Sequence, residues 1–490
     1  SAFLPSPRVA SVWPLPVAQR VIIAAGCLGM AYTQLTTSAA SIEFVRALGG
    51  SGLHIGIFGA LPTGMLFLQF LSAVVANRLT YRRRLWFWLT LLQRLIVLPV
   101  AAGPWWFPDV PDAIWVWAFL LVTAANQGLI HFTTPLWLSW MGDYLPHSGL
   151  NKYWGFRHLW MQVTAALSLL FSGWLLLGTG LSIRTALPLL VGIGSVLGVI
   201  DICLFRRIDE PPVTPHPCAG VYELLRGPFR HRDFRSFIRF TSFWHFAAMI
   251  GAPFISLFLL DAVGLSIGQV LLLWTFSWLG GAVCSRWLGR LAEDYGNRPV
   301  LIACVWLKST NMIGLLLTPR DPETAFLLLI PVFMFDAALN AGIVIATNGF
   351  LLKNSPAANR TMYIAAGTAL AGLIGGVTSV IAGGVLAVLR SGVVSGYSDP
   401  AAGYHLLFAA SLAMRLVSAV IVFRVREPAT NLRLPTMSSL VGATPSRILR
   451  FPVGLYRNWN ENEAAEALPA DGEPPIPKRT RSRDAALSGK

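Results

Sequence analysis

Twelve apolar stretches, set in two runs of six, constrain this chain more than any other feature. The first run lies near 20–42, 53–76, 85–103, 113–141, 154–178 and 184–205. The second lies near 237–260, 266–288, 299–318, 324–352, 361–389 and 403–423. A hydrocarbon core about 30 Å thick takes roughly 20 helical residues to cross. Lipid offers the backbone no hydrogen-bond partner, so a spanning segment must satisfy its own N–H and C=O groups. None of the stretches alternates as a barrel strand would. The pattern predicts an all-α polytopic membrane protein with 12 transmembrane helices in two pseudo-symmetric six-helix bundles.

Composition agrees. Hydrophobic residues make up 54% of 490 and charged residues 12%, too few to cover a soluble protein of this length. The net charge of +15 does not gather on one domain, which argues against nucleic acid. The basic residues recur instead in short loops at alternate helix ends: Arg78 and Arg82 to Arg84, Lys152, Arg206 to Arg239, Arg286, Arg290, Arg298, Lys353 and Arg360. The opposite loops hold Arg46, Arg184, Arg320 and Arg390 beside Asp109, Asp112, Asp261, Asp321, Glu323 and Asp399. Basic short loops stay cytoplasmic. Both termini are therefore expected in the cytoplasm, as in a bacterial inner-membrane protein, with the basic loops near anionic headgroups. The five cysteines show no metal or CxxC spacing, and most sit in apolar runs, so no disulfide is expected.

The two runs of six are copies. Pro146 and Tyr153 recur as Pro356 and Tyr363, Phe205-Arg206 with Glu210-Pro211 recurs as Phe423-Arg424 with Glu427-Pro428, and Arg94 is echoed by Lys308. Repeated halves of this kind mark secondary transporters. The organisation expected is an N-terminal cytoplasmic segment 1–19, a bundle 20–207, a cytoplasmic linker 208–236, a second bundle 237–425 and a tail 426–490, disordered beyond about Asn458. The linker opens Pro-rich (Pro211, Pro212, Pro215, Pro217). It continues from Tyr222 to Phe237 as a basic, aromatic segment suited to the membrane surface.

The loop after the eighth stretch reads Gly289-Arg-Leu-Ala-Glu293-Asp294-Tyr-Gly296-Asn-Arg298. It resembles the Gly-x-x-x-Asp-Arg-x-Gly-x-Arg signature of the major facilitator superfamily. Glu293 stands at the family's Asp position, and Asp294 stands where a basic residue is usual. The first-half copy keeps Arg78 and Arg82, but Ala73 and Thr80 replace the glycines and Asn77 replaces the acid. The resemblance covers roughly 20–425. It implies the superfamily's fold and a gating loop, in which the acid pairs with Arg and a helix N-terminus to hold the cytoplasmic side shut. That role falls to Glu293 and Arg298. The stretch Trp137 to Pro146 with Gly155-Phe-Arg157 looks like a bacterial branch of unassigned substrate.

Ionisable groups within a span are functional candidates by default. Asp336 lies deepest, about 18 Å into the tenth stretch at the helical rise per residue, with Asn340 on the same helix face. Glu43, Asp143, Asp201 and Asp261 lie nearer helix ends, where water or headgroups are expected to solvate them. Asn126, 210 residues before Asp336, is its counterpart in the fourth stretch, beside Gln127 and His131. Gln34 and His245 join these as cavity candidates, and histidine suits a proton relay. Arg94, Lys308 and Arg415 are expected to be buried and paired. Gly-rich stretch eleven (Gly367 to Gly384) reads as close helix packing. No nucleophile–base pair, metal cluster or phosphate loop is recognisable, so neither an enzyme nor a cofactor is expected.

Two readings follow. The first is a secondary active transporter that moves a small solute by alternating access, with Asp336 the first proton carrier, acting as a monomer. The second is a non-transporting membrane subunit, receptor or assembly factor of the same fold. It would bind a protein partner, and the degenerate first-half motif is its main support.

Overall fold

The computed structural model describes residues 15–37, 39–50, 52–213, 221–356, 360–390 and 401–427. The tail beyond residue 427, most of the Pro-rich part of the linker, and Cys218 lie outside the described residues. Among the described residues, eleven stretches are long and apolar enough to cross a membrane. The remaining member of the twelve, span 2, is Gly52–Gly64 and Leu68–Ala76 joined by the 3₁₀ turn Met65–Phe67. In chain order span 1 is Leu15–Ala47, span 3 Arg83–Ala101, span 4 Asp112–Tyr144, span 5 Leu150–Gly178 and span 6 Ile183–Arg207. Span 7 is Arg232–Asp261, span 8 Gly268–Tyr295, span 9 Asn297–Leu316, span 10 Pro322–Asn354, span 11 Arg360–Leu389 and span 12 Ala402–Arg424. A linker helix, Val221–Arg230, precedes span 7. Sequence spacing placed the start of span 7 at 237; the helix begins five residues earlier because Arg232 to Ser236 extend it as a polar turn.

Local chemistry sets the ends. Asp321 caps span 10 by accepting from the Thr324 N–H at 2.9 Å, and this bonding holds its carboxyl below the usual carboxylate range. Ser266 and Gln269 close a capping box on span 8. Gly296 turns the chain between spans 8 and 9 at φ +93°, a conformation that a Cβ would strain. In span 2, Pro62 cannot continue the hydrogen-bond ladder, and the 3₁₀ turn follows it.

Leu121, Leu177, Leu317 and Trp88 stand more than half exposed. In lipid such exposure costs nothing. Inside each half, span 1 packs on spans 5 and 6, and span 7 on spans 11 and 12. Between halves, span 5 lies on span 8 and span 2 on span 11. The apolar cores are unequal at the two ends. At the basic-loop end a single cluster draws on both halves, including Trp86, Trp140, Tyr153, Phe237, Leu288 and Phe350. At the opposite end the halves keep separate clusters, one around Phe44 and Phe119 and one around Phe258 and Phe408. The apolar cluster that both halves share lies where the basic loops are.

Candidate functional site

Three polar assemblies interrupt the apolar packing. The first holds the halves together at the basic-loop end. Gly155 on span 5 and Gly289 on span 8 let the backbones touch: a Cβ on either would come within 2.8 Å of the other's Cα. Beside this contact the Glu293 carboxylate accepts from the Gly149 N–H at 2.9 Å and the Asn151 N–H at 3.0 Å, the start of span 5. Its third partner is Lys353 Nζ at 2.9 Å, at the end of span 10. The acid thus sits on a helix N-terminus, where the dipole and free N–H groups favour negative charge. Lys152 pairs with Asp294 at 3.2 Å nearby.

The second contact between halves includes Arg82, retained in the first-half copy of the motif, and otherwise uses residues outside it. Asp143, at the end of span 4, accepts from Arg82 Nη2 at 2.7 Å and pairs with Arg360 Nη1 of span 11 at 3.2 Å. Arg82 also donates to Ser139, which in turn accepts from Thr361 at 2.9 Å. Arg82 and Arg360 are buried.

The repeated Glu-Pro steps have matching duties. Glu210 accepts from the backbone N–H groups of Arg82 and Arg83 at 2.6 and 2.8 Å, capping span 3. Glu427 accepts from the Arg298 N–H at 2.8 Å and from Asn297 Nδ2 at 2.7 Å, capping span 9. The resemblance assigned Arg298 to Glu293. The structure instead turns the Arg298 guanidinium to the Phe423 carbonyl at 2.9 Å and gives Glu293 to Lys353.

The third assembly lies inside the bundles. In the second half, Asp336 accepts from Lys308 Nζ at 2.6 Å and Asn311 Nδ2 at 2.9 Å, tying span 10 to span 9. Arg415 of span 12 is buried, its guanidinium 5.6 Å from the Trp244 ring of span 7. In the first half, Arg94 pairs with Asp201 at 2.8 Å and stacks 4.4 Å over Tyr32. Arg157 lies 4.9 Å from the rings of both Trp137 and Trp154. Asp201 was expected within reach of water. It is buried, because counting residues from a helix end measures depth but does not show that Arg94 of span 3 faces it.

Asn126 is fully buried and donates to the Gln93 carbonyl at 2.7 Å and Tyr32 Oη at 2.9 Å, tying span 4 to spans 3 and 1. It therefore joins span 4 to span 3 as Asp336 joins span 10 to span 9. Gln127 is buried beside it in sequence, and Asn340 is exposed. His131 Nε2 lies 2.6 Å from the Pro62 carbonyl, and Nδ1 lies 3.5 Å from Gln69. Gln69 accepts from Thr368 of span 11, so this chain also crosses between halves. His245 bonds the Thr241 carbonyl of its own helix at 2.9 Å, and Gln34 reaches Met30 Sδ at 3.7 Å. The candidates thus fall into separate groups. Asp336 meets Lys308, while His131, Asn126, Gln34 and His245 bond to other partners. Asn77 and Arg78 follow span 2 at the basic-loop end, each with its N–H on a carbonyl of that span. Among the described residues no His, Cys, Asp or Glu cluster of metal-binding size occurs.

Sequence reasoning missed Arg360, Ser139, Thr361, Asn311 and the Gln69–Thr368 bridge. One signal for such pairing was present. The offset of 210 that relates Asn126 to Asp336 also relates acidic Asp143 to basic Lys353, opposite charges at matched helix ends.

The sequence matches the family described as Major Facilitator Superfamily over residues 21–377. A comparison with curated protein sequences gives no match. Among solved structures, the chain is similar to the proton:xylose symporter XylE bound to 6-bromo-6-deoxy-D-glucose, with TM-score 0.64, 14% identity, and 84% of this chain and 96% of that one covered. It is similar to a bacterial homologue of the iron transporter ferroportin in an outward-facing state, with TM-score 0.63, 12% identity and coverage of 83% and 99%. It is also similar to the human organic anion transporter MFSD10, with TM-score 0.57, 14% identity and coverage of 84% and 100%. At these identities the likeness is one of fold.

Proposed function

The chain belongs to the major facilitator superfamily, and from that premise we propose that it is a secondary active transporter moving a small solute by alternating access, coupled to protons through Asp336. The observation that carries the coupling is an asymmetry of exposure. Of the two mid-bundle ion pairs, the Asp336 side chain is 31% exposed and its partner Lys308 9%, whereas Asp201 is 6% exposed. Asp336 is the carboxylate that a proton can reach. Protonation would neutralise it, weaken its hold on Lys308, and lower the cost of moving the site through a low-dielectric interior.

Alternating access here means rocking of the two halves about this region. Unequal cores support it: the shared cluster and both ionic contacts sit at the basic-loop end, so opening that end breaks a defined set of bonds. By the positive-inside rule that end faces the cytoplasm of a bacterial inner membrane, with both termini on the same side. The described conformation is then closed inward. The protein acts as a monomer on a small-molecule substrate, and the neighbours, which include a sugar symporter and an organic anion transporter, supply solute classes for a first screen.

The test uses purified protein in proteoliposomes loaded with a pH dye and challenged with sugars and organic anions in turn. One class should drive solute-dependent proton entry. Asp336→Asn should abolish that entry and keep solute exchange. Proton entry unchanged in Asp336→Asn, or absent for every solute that is transported, would remove proton coupling at this residue.

A further inference from the structure

A groove of about 730 Å³ runs along the outside of the second half between spans 7, 11 and 12, at the basic-loop end. Its polar mouth is formed by Arg235, Arg239 and Arg424, all three exposed. Its floor is apolar, with Phe243, Phe246 and Ile374 among the lining side chains. The order along span 7 is informative. Arg235, Arg239, Ser242 or Phe243, and Phe246 succeed one another at helical spacing on one face, so charge gives way to aromatic surface over about 10 Å between Arg239 and Phe246. Phe229, from the end of the linker helix, closes the polar side.

The arginines are not spent inside the protein. Arg82, Arg94 and Arg360 all have carboxylates, but no carboxylate among the described residues pairs with Arg235, Arg239 or Arg424. Ser242, on the same wall, is buried, and its hydroxyl has no partner among the described residues. Three uncompensated guanidiniums above an aromatic channel match an anionic headgroup above its acyl chains. Juxtamembrane arginines are drawn to anionic lipid, and guanidinium forks suit phosphate oxygens.

We propose that this groove is a binding site for an anionic phospholipid, with the phosphate held by Arg235, Arg239 and Arg424 and an acyl chain lying along Phe243, Phe246 and Ile374. The chain's own tail is a poorer occupant. Its acidic stretch, Glu461 to Glu473, suits the arginines but holds Leu468 as its one large aliphatic side chain for the aromatic floor. The linker helix gains a role here, since it roofs the site where spans 7, 11 and 12 meet. A lipid seated there touches the first and last spans of the second half and would bias how that half packs.

Native mass spectrometry of the purified full-length protein, titrated with phosphatidylglycerol or with phosphatidylcholine of the same acyl chains, tests the site. Phosphatidylglycerol should be retained in preference, and each arginine replaced by Gln should lower its affinity by about fivefold. The triple variant R235Q/R239Q/R424Q should bind both lipids alike, while Arg206→Gln, on the first half, should behave as the parent. A photoactivatable phosphatidylglycerol, used on the unmutated protein, should label peptides spanning 239–246 and 370–374. Equal retention of the two lipids by the unmutated protein, undiminished phosphatidylglycerol binding in the triple variant, or labelling confined to other peptides would each overturn the assignment.

Discussion

Asp143→Asn tests whether the ionic contacts at the basic-loop end hold the halves together. The structure separates what this change does to each conformation. Asp143 and Arg82 both belong to the first half, so their 2.7 Å bond survives when the halves part. The 3.2 Å pair with Arg360 joins the halves and exists only when they are closed. Only an interaction that differs between states can shift their balance. At an effective dielectric constant near 20, two charges 3.2 Å apart attract with about 5 kcal/mol. Stranding one partner of a buried pair costs about 3–5 kcal/mol. The Arg360 side chain is 6% exposed and Asp143 11%. Slight access to water places the differential loss at the lower end, about 2–3 kcal/mol. That is a shift of roughly 30- to 150-fold toward the open form. An open population of about 1% would rise to roughly 25–60%. Arg360→Gln should do less, because it removes a buried cation and leaves Asp143 with Arg82. Spin labels on cysteines at Ser148 and Arg290, one in each half, report the separation by pulsed electron resonance once the five native cysteines are replaced. Asp143→Asn should add a long-distance population larger than that of Arg360→Gln. Identical distance distributions in parent and Asp143→Asn, or a larger shift in Arg360→Gln, would refute the reasoning.

Replacing Gly289 with Val should insert normally yet lose at least about tenfold in transport rate, because its Cβ would meet the Asn151 carbonyl at 2.6 Å and the Gly155 Cα at 2.8 Å, and backbone cannot yield as a side chain can; reconstituted flux and membrane yield check the two halves of that statement. A cysteine at position 148 should resist a membrane-impermeant thiol reagent in intact cells while one at position 110 reacts, in a chain freed of its native cysteines; the reverse pattern would turn the topology over.

Periodicity and hydropathy carried the fold because the bilayer leaves a spanning backbone little choice, and the repeat carried the division into halves. Depth along a helix was also legible, which is why Asp336 stood out. Azimuth was not. The same arithmetic that marked Asp336 as deep gave no sign that Lys308 and Asn311 of span 9 converge on it, and it left Asp201 with water when Arg94 was waiting. Span 2 shows a related limit. Pro62 announces a break, but the contact of its carbonyl with His131 depends on span 4 passing within 2.6 Å. Contacts between elements far apart in sequence need the packed structure, since nothing local encodes them.

The weak first-half motif favours a chain that keeps the fold without the transport, because Asn77 offers no charge where the second half has Glu293. The packed structure weakens that argument. Glu293, from the second half, engages the N-terminus of span 5 in the first. Asp143, from the first half, engages Arg360 at the N-terminus of span 11 in the second. Spans 5 and 11 are equivalent elements of the repeat, so each half still sends one carboxylate to the same place on the other. The chemistry differs: backbone N–H groups receive the acid in one case and a guanidinium in the other. The supplying position has also moved from the loop after span 2 to the end of span 4. What the repeat preserves is the contact, a carboxylate across the seam at the start of the fifth helix of the opposite half. A device kept in both halves by different residues fits a protein whose halves still have to part and rejoin.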